Sequence, residues 1–171
     1  MRYMLTTATC VLFGLSLTAE AQAPAAAEFV SKEGGFSVML PGTPTESTEE
    51  ALGQHQFQVA FPDGVMIASY QDNPGLKGVA DAALATGLKD AQESVRAGFD
   101  GKVLKSQPIK LANKYPGLEF ECDIPAAGGL YRSRSYLVDG RMYQLVAVGT
   151  KEFAIGANAS TFLGSLKLLP K

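Results

Sequence analysis

Apolar side chains recur along this chain at a spacing that changes twice, from every second residue to every third or fourth and back again. Phe36, Val38 and Leu40 alternate, as do Phe57, Val59 and Phe61 against Gln56, Gln58 and Ala60. Successive side chains of a strand point to opposite faces, so this spacing predicts strands over 35–40, 45–52, 54–61 and 65–70. Pro41-Gly42-Thr43-Pro44 and Pro62-Asp63-Gly64 supply the turn chemistry between them. Between Gly78 and Phe99 the apolar positions become Ala80, Leu84, Leu88, Ala91, Val95 and Phe99, one stripe of an amphipathic helix about twenty residues long. Asp100-Gly101 ends it, and Gly87 in its middle, costing about 1 kcal/mol against alanine, marks an expected close approach to the sheet. Period two then returns over 102–111, 117–124, 130–138 and 141–148. Pro108 makes the first of these an edge or bulged strand, because proline cannot donate to a ladder. Asp139-Gly140 joins the last two as a two-residue hairpin, and a short helix over 157–166 buries Phe162, Leu163 and Leu166. The fold class expected is therefore α+β, a mostly antiparallel sheet packed by one long helix and a short C-terminal helix.

The first residues read as an export signal. Arg2 gives a positive start, residues 4–18 are apolar and uncharged, and Ala19-Glu20-Ala21 is a small-x-small cleavage pattern. The expected organisation is a signal peptide over 1–21, a flexible tether over 22–28 (QAPAAAE for residues 22–28) and a single α+β domain over 29–171, with Ala23 and Ala25 as alternative cleavage positions. The mature chain carries no further run long enough to cross a membrane, so it is expected to be periplasmic or secreted. Cys10 leaves with the signal, and Cys122 alone cannot form an internal disulfide. Stability has to come from the core, for which 46% hydrophobic residues are sufficient at this length.

Several chemistries are excluded. Fifteen basic against seventeen acidic residues leave no cationic surplus for nucleic acid. His55 and Cys122 cannot make a structural zinc site, and Asp63, Asp100 and Asp139 each precede glycine as turn residues without the spaced acids of a Ca²⁺ loop. Neither G-x-S-x-G, S-x-x-K nor a phosphate-binding glycine loop occurs. His55 lies in a polar loop-to-strand junction and reads as exposed and non-catalytic. No catalytic residue, metal ligand or cofactor is assigned.

Glu119, Glu121 and Asp123 share one strand face and could form a cation site or an acid pair. A structural ladder accounts for them more simply, with Asp123 opposite Arg132 and Glu121 opposite Arg134 on the next strand, each pair contributing roughly 0.2–1 kcal/mol. The same register turns Cys122 inward beside Phe120. Tyr131, Tyr136 and Tyr143 could line a ligand groove, and the hairpin sets Tyr136 directly across from Tyr143. The candidate binding residues are Arg132, Arg134, Tyr136 and Tyr143. Asn158-Ala159-Ser160 matches the N-x-S glycosylation pattern.

Residues 33–44 (EGGFSVMLPGTP), 129–149 (GLYRSRSYLVDGRMYQLVAVG) and 162–168 (FLGSLKL) resemble a group of uncharacterised exported bacterial domains, which is itself similar to the Mog1/PsbP-like fold. The resemblance covers about 29–168 and implies an antiparallel sheet sandwiched by helices. It implies no catalytic residues, and members of the fold are generally non-enzymatic binding or assembly factors. The expected function is a non-catalytic, monomeric binding or assembly module meeting a cell-envelope protein or component through a sheet edge or the Arg132–Tyr143 region. The rivals are a small-molecule carrier with a helix–sheet pocket and a carboxylate-dependent hydrolase or lyase.

Overall fold

The computed structural model describes residues 26–50 and 53–170. The expected signal peptide, its cleavage positions, Cys10 and residues 22–25 of the tether lie outside them. In chain order the elements are β1 (Ala26–Ser31), β2 (Phe36–Pro41), β3 (Thr45–Glu49), β4 (Gln54–Phe61), β5 (Gly64–Asp72), α1 (Asp81–Gly98), β6 (Val103–Leu111), β7 (Tyr115–Ile124), β8 (Gly129–Val138), β9 (Arg141–Gly149), α2 (Lys151–Ile155), α3 (Ala157–Gly164) and β10 (Lys167–Leu168). Seven strands make the main sheet in the order β3-β4-β5-β9-β8-β7-β6, and β1-β2-β10 form a second, smaller sheet. Every pairing is antiparallel. The fold is α+β.

The main sheet buries both faces. On one, Leu84 and Leu88 of α1 pack over Leu118, Phe120, Cys122, Tyr131 and Val146. On the other, Phe57, Tyr70, Tyr143 and Leu145 meet Phe36, Val38 and Leu40 of the small sheet and Phe162 and Leu163 of α3. Phe36 is the hub of this second core, with the rings of Phe29, Phe57, Tyr70 and Tyr143 all between 5.6 and 6.5 Å away. Burying each such side chain stabilises by about 1.5–3 kcal/mol, so the two cores hold the fold with Cys122 left as a free, buried thiol.

Four sequence expectations change. Ala26, Ala27 and Glu28 fall in the expected tether yet pair in β1 with Pro41, Leu40 and Met39. Two alanines and a glutamate carry no apolar alternation, and main-chain hydrogen bonds to β2 hold them. The helix runs from Asp81, with Ala80 as its N-cap residue, and Gln92 takes the buried position expected of Ala91. Gln92 stands four residues after Leu88 on the same face, and its Oε1 accepts from Ser106 Oγ at 2.6 Å, which satisfies the amide. Gly87 approaches nothing, since a Cβ there would have open space around it. The C-terminal helix forms as α3 but ends at Gly164, two residues early, and an unexpected short helix, α2, precedes it across Gly156, whose ψ of 162° is extended.

The Asp139-Gly140 turn forms as expected. Asp139 and Gly140 have φ of 50° and 86°, the pair of positive values a right-twisted two-residue hairpin requires, and Tyr136 lies opposite Tyr143. Pro108 sits in β6, an edge strand with a register shift between Val103 and Lys105.

Candidate functional site

The charged ladder of β7 and β8 forms one step away from the expected register. Glu121 faces Arg132, Glu119 faces Arg134, and Asp123 faces Leu130. The connection is tighter than sequence spacing suggested. A single 3-10 turn over Pro125–Ala127 closes on Gly128 at φ 61°, so Ile124 pairs with Gly129 directly. A two-residue slip keeps every side chain on its own face, so the ladder survives and only the partners change. Asp123 instead accepts a hydrogen bond from the Lys102 backbone N–H at the start of β6.

Arg134 donates from Nε to Glu119 Oε2 at 2.9 Å, and Lys105 Nζ stands 3.4 Å from Oε1 of the same carboxylate. Burial raises the Glu119 pKa, but the charges of Arg134 and Lys105 and the bonds from Gln107 and Arg134 outweigh it and hold the carboxyl below its usual range. Arg132 Nε lies 3.1 Å from Glu121 Oε1, while its Nη1 donates to the Ala154 carbonyl at 2.8 Å. Arg134 Nη1 reaches the Leu163 carbonyl at 3.4 Å. Both arginines thus bind last-turn carbonyls of α2 and α3, where a cation is favoured by the helix dipole. Among the described residues no group of three or more His, Cys, Asp or Glu side chains is disposed to hold a metal ion.

Tyr136 and Tyr143 lie on the same sheet face as the ladder and are both buried. Burial raises the pKa of each, against the lowering effect of Arg134 on Tyr136 and of Arg141 on Tyr143. The Tyr143 hydroxyl donates to the Gly34 carbonyl at 2.8 Å and so ties β9 to the turn of the small sheet. Tyr131 points to the helix side instead, against Phe99 and Phe120, where burial pushes its pKa up to about 12. Cys122 is fully buried, and burial, with the Asp123 charge added, raises its thiol pKa. His55 is half-buried rather than exposed, because it is the second residue of β4 and its ring stacks on Tyr70 at 4.6 Å. Asn158 is exposed at the start of α3.

Of the four candidate residues, Tyr143 borders a sizeable cavity among the described residues. An open groove of about 640 Å³ runs where the turns of three hairpins meet the segment after β10. Lys32 and Gly35 come from the β1–β2 turn, Lys114 and Tyr115 from the β6–β7 turn. Val138, Asp139, Arg141 and Tyr143 come from the β8–β9 hairpin, and Leu168, Leu169 and Pro170 close the remaining wall. Arg141 is fully engaged, with Nε and Nη2 on the two oxygens of Asp72 at 2.6 and 2.7 Å and Nη1 on the carbonyls of Glu33 and Gly34. That pairing lowers the Asp72 pKa, the Arg141 hydrogen bond outweighing burial, and raises that of Arg141. Tyr115 OH lies 3.1 Å from Lys114 Nζ and 3.4 Å from Asp139 Oδ2, so these three side chains form a rib joining two hairpin turns. Across the rib a smaller cavity of about 240 Å³ opens toward Leu76, Leu84 and Leu137 under α1. Sequence reasoning missed the groove apart from Tyr143. The available signal was a cation beside each of three turns: Lys32, Lys114 and Arg141.

No protein-family model matches the chain, and no curated protein matches it in sequence. Solved structures do match in shape. The solution structure of cyanobacterial PsbP from Synechocystis superposes with a TM-score of 0.62 at 9% identity, covering 90% of this chain and 98% of that one. A protein of unknown function from Pseudomonas aeruginosa gives 0.42 at 9% identity over 76% of this chain and 86% of that one. A protein from Bacteroides thetaiotaomicron gives 0.43 at 14% identity over 87% and 50%. This chain has a PsbP-like α+β fold, with a mostly antiparallel sheet between helices, and among the described residues no helix is long and apolar enough to cross a membrane.

Proposed function

We propose that the chain is exported by its N-terminal apolar leader to the periplasm or cell exterior and acts there as a monomeric, non-catalytic binding or assembly module of the cell envelope. The observation that carries this reading is the inequality of the two edges of the main sheet. β6 has the devices that stop edge-to-edge pairing: Pro108, the register shift between Val103 and Lys105, and the cations Lys105 and Lys110. β3 has no proline and no cation, pairs with β4 alone among the described residues, and is exposed throughout. A partner strand can add to such an edge by main-chain hydrogen bonds, and Glu46 and Glu49 favour one that carries Lys or Arg. In this reading Arg132, Arg134, Tyr136 and Tyr143 serve binding by holding α2, α3 and the small sheet in place behind the contact surfaces. A carboxylate-dependent hydrolase or lyase has less support, because Glu119 and Glu121 each lie against an arginine.

A photo-crosslinking side chain at Ser47 on β3, compared with one at Gln107 on β6 in envelope extract, tests the reading. The expected result is a discrete adduct from Ser47 alone, lost in the Glu46→Lys/Glu49→Lys variant. Equal labelling from both positions, or none from Ser47, overturns it. A second reading, carriage of a small molecule, is favoured by the groove of about 640 Å³, which falls within the range of roughly 300–1,000 Å³ usual for small-ligand sites. That groove lies between hairpin turns and the C-terminal segment, not between the long helix and the sheet.

A further inference from the structure

We infer that the hairpin-end groove takes a small amphipathic monocarboxylate, its charged head between Lys32 and Lys114 and its apolar body along Val138, Leu168 and Leu169. The inference rests on the carriage reading and gives its ligand a chemistry.

Charge bookkeeping at the groove sets the head. Of the three cations lining it, Arg141 is spent on Asp72 and two backbone carbonyls. Lys114 is balanced by Asp139, the only carboxylate in the lining, through the shared Tyr115 hydroxyl. Lys32 is exposed, its carbonyl accepts from the Gly35 N–H, and its ammonium makes no hydrogen bond or ion pair among the described residues; Glu33 beside it is not part of the lining. One positive charge therefore remains uncompensated, in a chain whose net charge is −2. A single negative charge completes the set, and a dianion or a cation would not. Lys114 carries its ammonium over the Tyr115 ring at 4.5 Å, which holds it at the groove wall.

The body follows from the apolar part of the lining. Leu168 and Leu169 are only partly buried at the groove, so they offer apolar surface that water covers at a cost, and the almost fully buried Val138 adds to the same lining. The Leu169 N–H is bonded to the Gly35 carbonyl at 2.9 Å, which fixes this wall against the turn that carries Lys32. Head and body contacts thus come from one groove lining, the arrangement that orients an amphipathic molecule rather than merely adsorbing it.

The test titrates the full mature chain with decanoate, decanol and decyltrimethylammonium below their aggregation thresholds, followed by NMR shifts of Tyr115, Val138 and Leu168. Decanoate is expected to bind at the groove at least about tenfold more tightly than decanol, with no shifts from the cation. Added salt should weaken the carboxylate alone. The exposed-site variants Lys32→Glu and Lys114→Gln, whose fold is checked by the unchanged remainder of the spectrum, should each lose most of that preference. Equal binding of decanoate and decanol, or a preference that survives both variants, overturns the ligand chemistry while leaving carriage standing. Failure of all three probes to shift the groove signals overturns the ligand chemistry and the carriage reading together.

Discussion

Glu119 shows how one residue can look like a catalytic acid in a sequence and act as a strut in a fold. Its side chain is almost inaccessible and meets Arg134 at 2.8 Å and Lys105 at 3.4 Å. Because its folded pKa is depressed, the stabilisation it provides is complete above the unfolded value near 4.3 and is lost as pH falls through the folded pKa. Asp72, held down by Arg141, adds a contribution of the same sign. Glu119→Gln should therefore cost about 1–2 kcal/mol at neutral pH, read from the urea midpoint. The deficit should close as pH falls through the lowered pKa of Glu119, where wild type loses the same charge. A variant equally destabilised at every pH would mean that the amide fails sterically and that the ion pairs contribute nothing. Cys122, the other residue that invites a chemical reading, is buried with a raised thiol pKa, the opposite of what a reactive cysteine needs.

At the scale of elements, local patterns were legible and long connections were not. The β8–β9 hairpin could be read to the residue, because two positive φ values and Asp-Gly leave a single register, and Tyr136 duly meets Tyr143. The β7–β8 register could not, since five loop residues admit several closures and only the 3-10 turn ending at Gly128 selects one. β1 escaped notice because its first residues, two alanines and a glutamate, show no apolar period, and α2 because five residues are too few to display a helical one. The groove was illegible for a different reason: its walls come from four segments that only the folded chain brings together. Gly87 is the instructive miss. It looked like a point of contact with the sheet, yet a Cβ there meets nothing and its neighbours are helical. Gly87→Ala should then stabilise the protein by about 0.5–1 kcal/mol, by reducing the freedom of the unfolded chain and favouring helix. A rise in thermal midpoint checks it, and a fall would reveal a packed surface over α1.

For the molecule as a whole, the joint between the two sheets matters most. Arg141 and Tyr143 of β9 both donate to the Gly34 carbonyl, and Gly34 is buried in the turn between β1 and β2. Tyr143→Phe leaves that carbonyl bonded to Arg141, so it should cost only about 0.5–1.5 kcal/mol. Arg141→Ala also abandons Asp72 and should cost about 1–3 kcal/mol. Neither single change orphans Gly34, but the double variant does. Its loss should exceed the sum of the two, as a double-mutant cycle in urea would measure. Simple additivity would mean that the joint is held elsewhere. The small sheet has one more property of consequence. β10 lays Lys167 and Leu168 beside Ser37 and Phe36, so a strand near one end of the described residues is completed by one near the other. Closing a loop that spans most of the polypeptide is entropically expensive and slow. Until that segment docks, one flank of β2 stays without its partner, so protection of the Ser37 and Phe36 amides from hydrogen exchange should develop late in refolding.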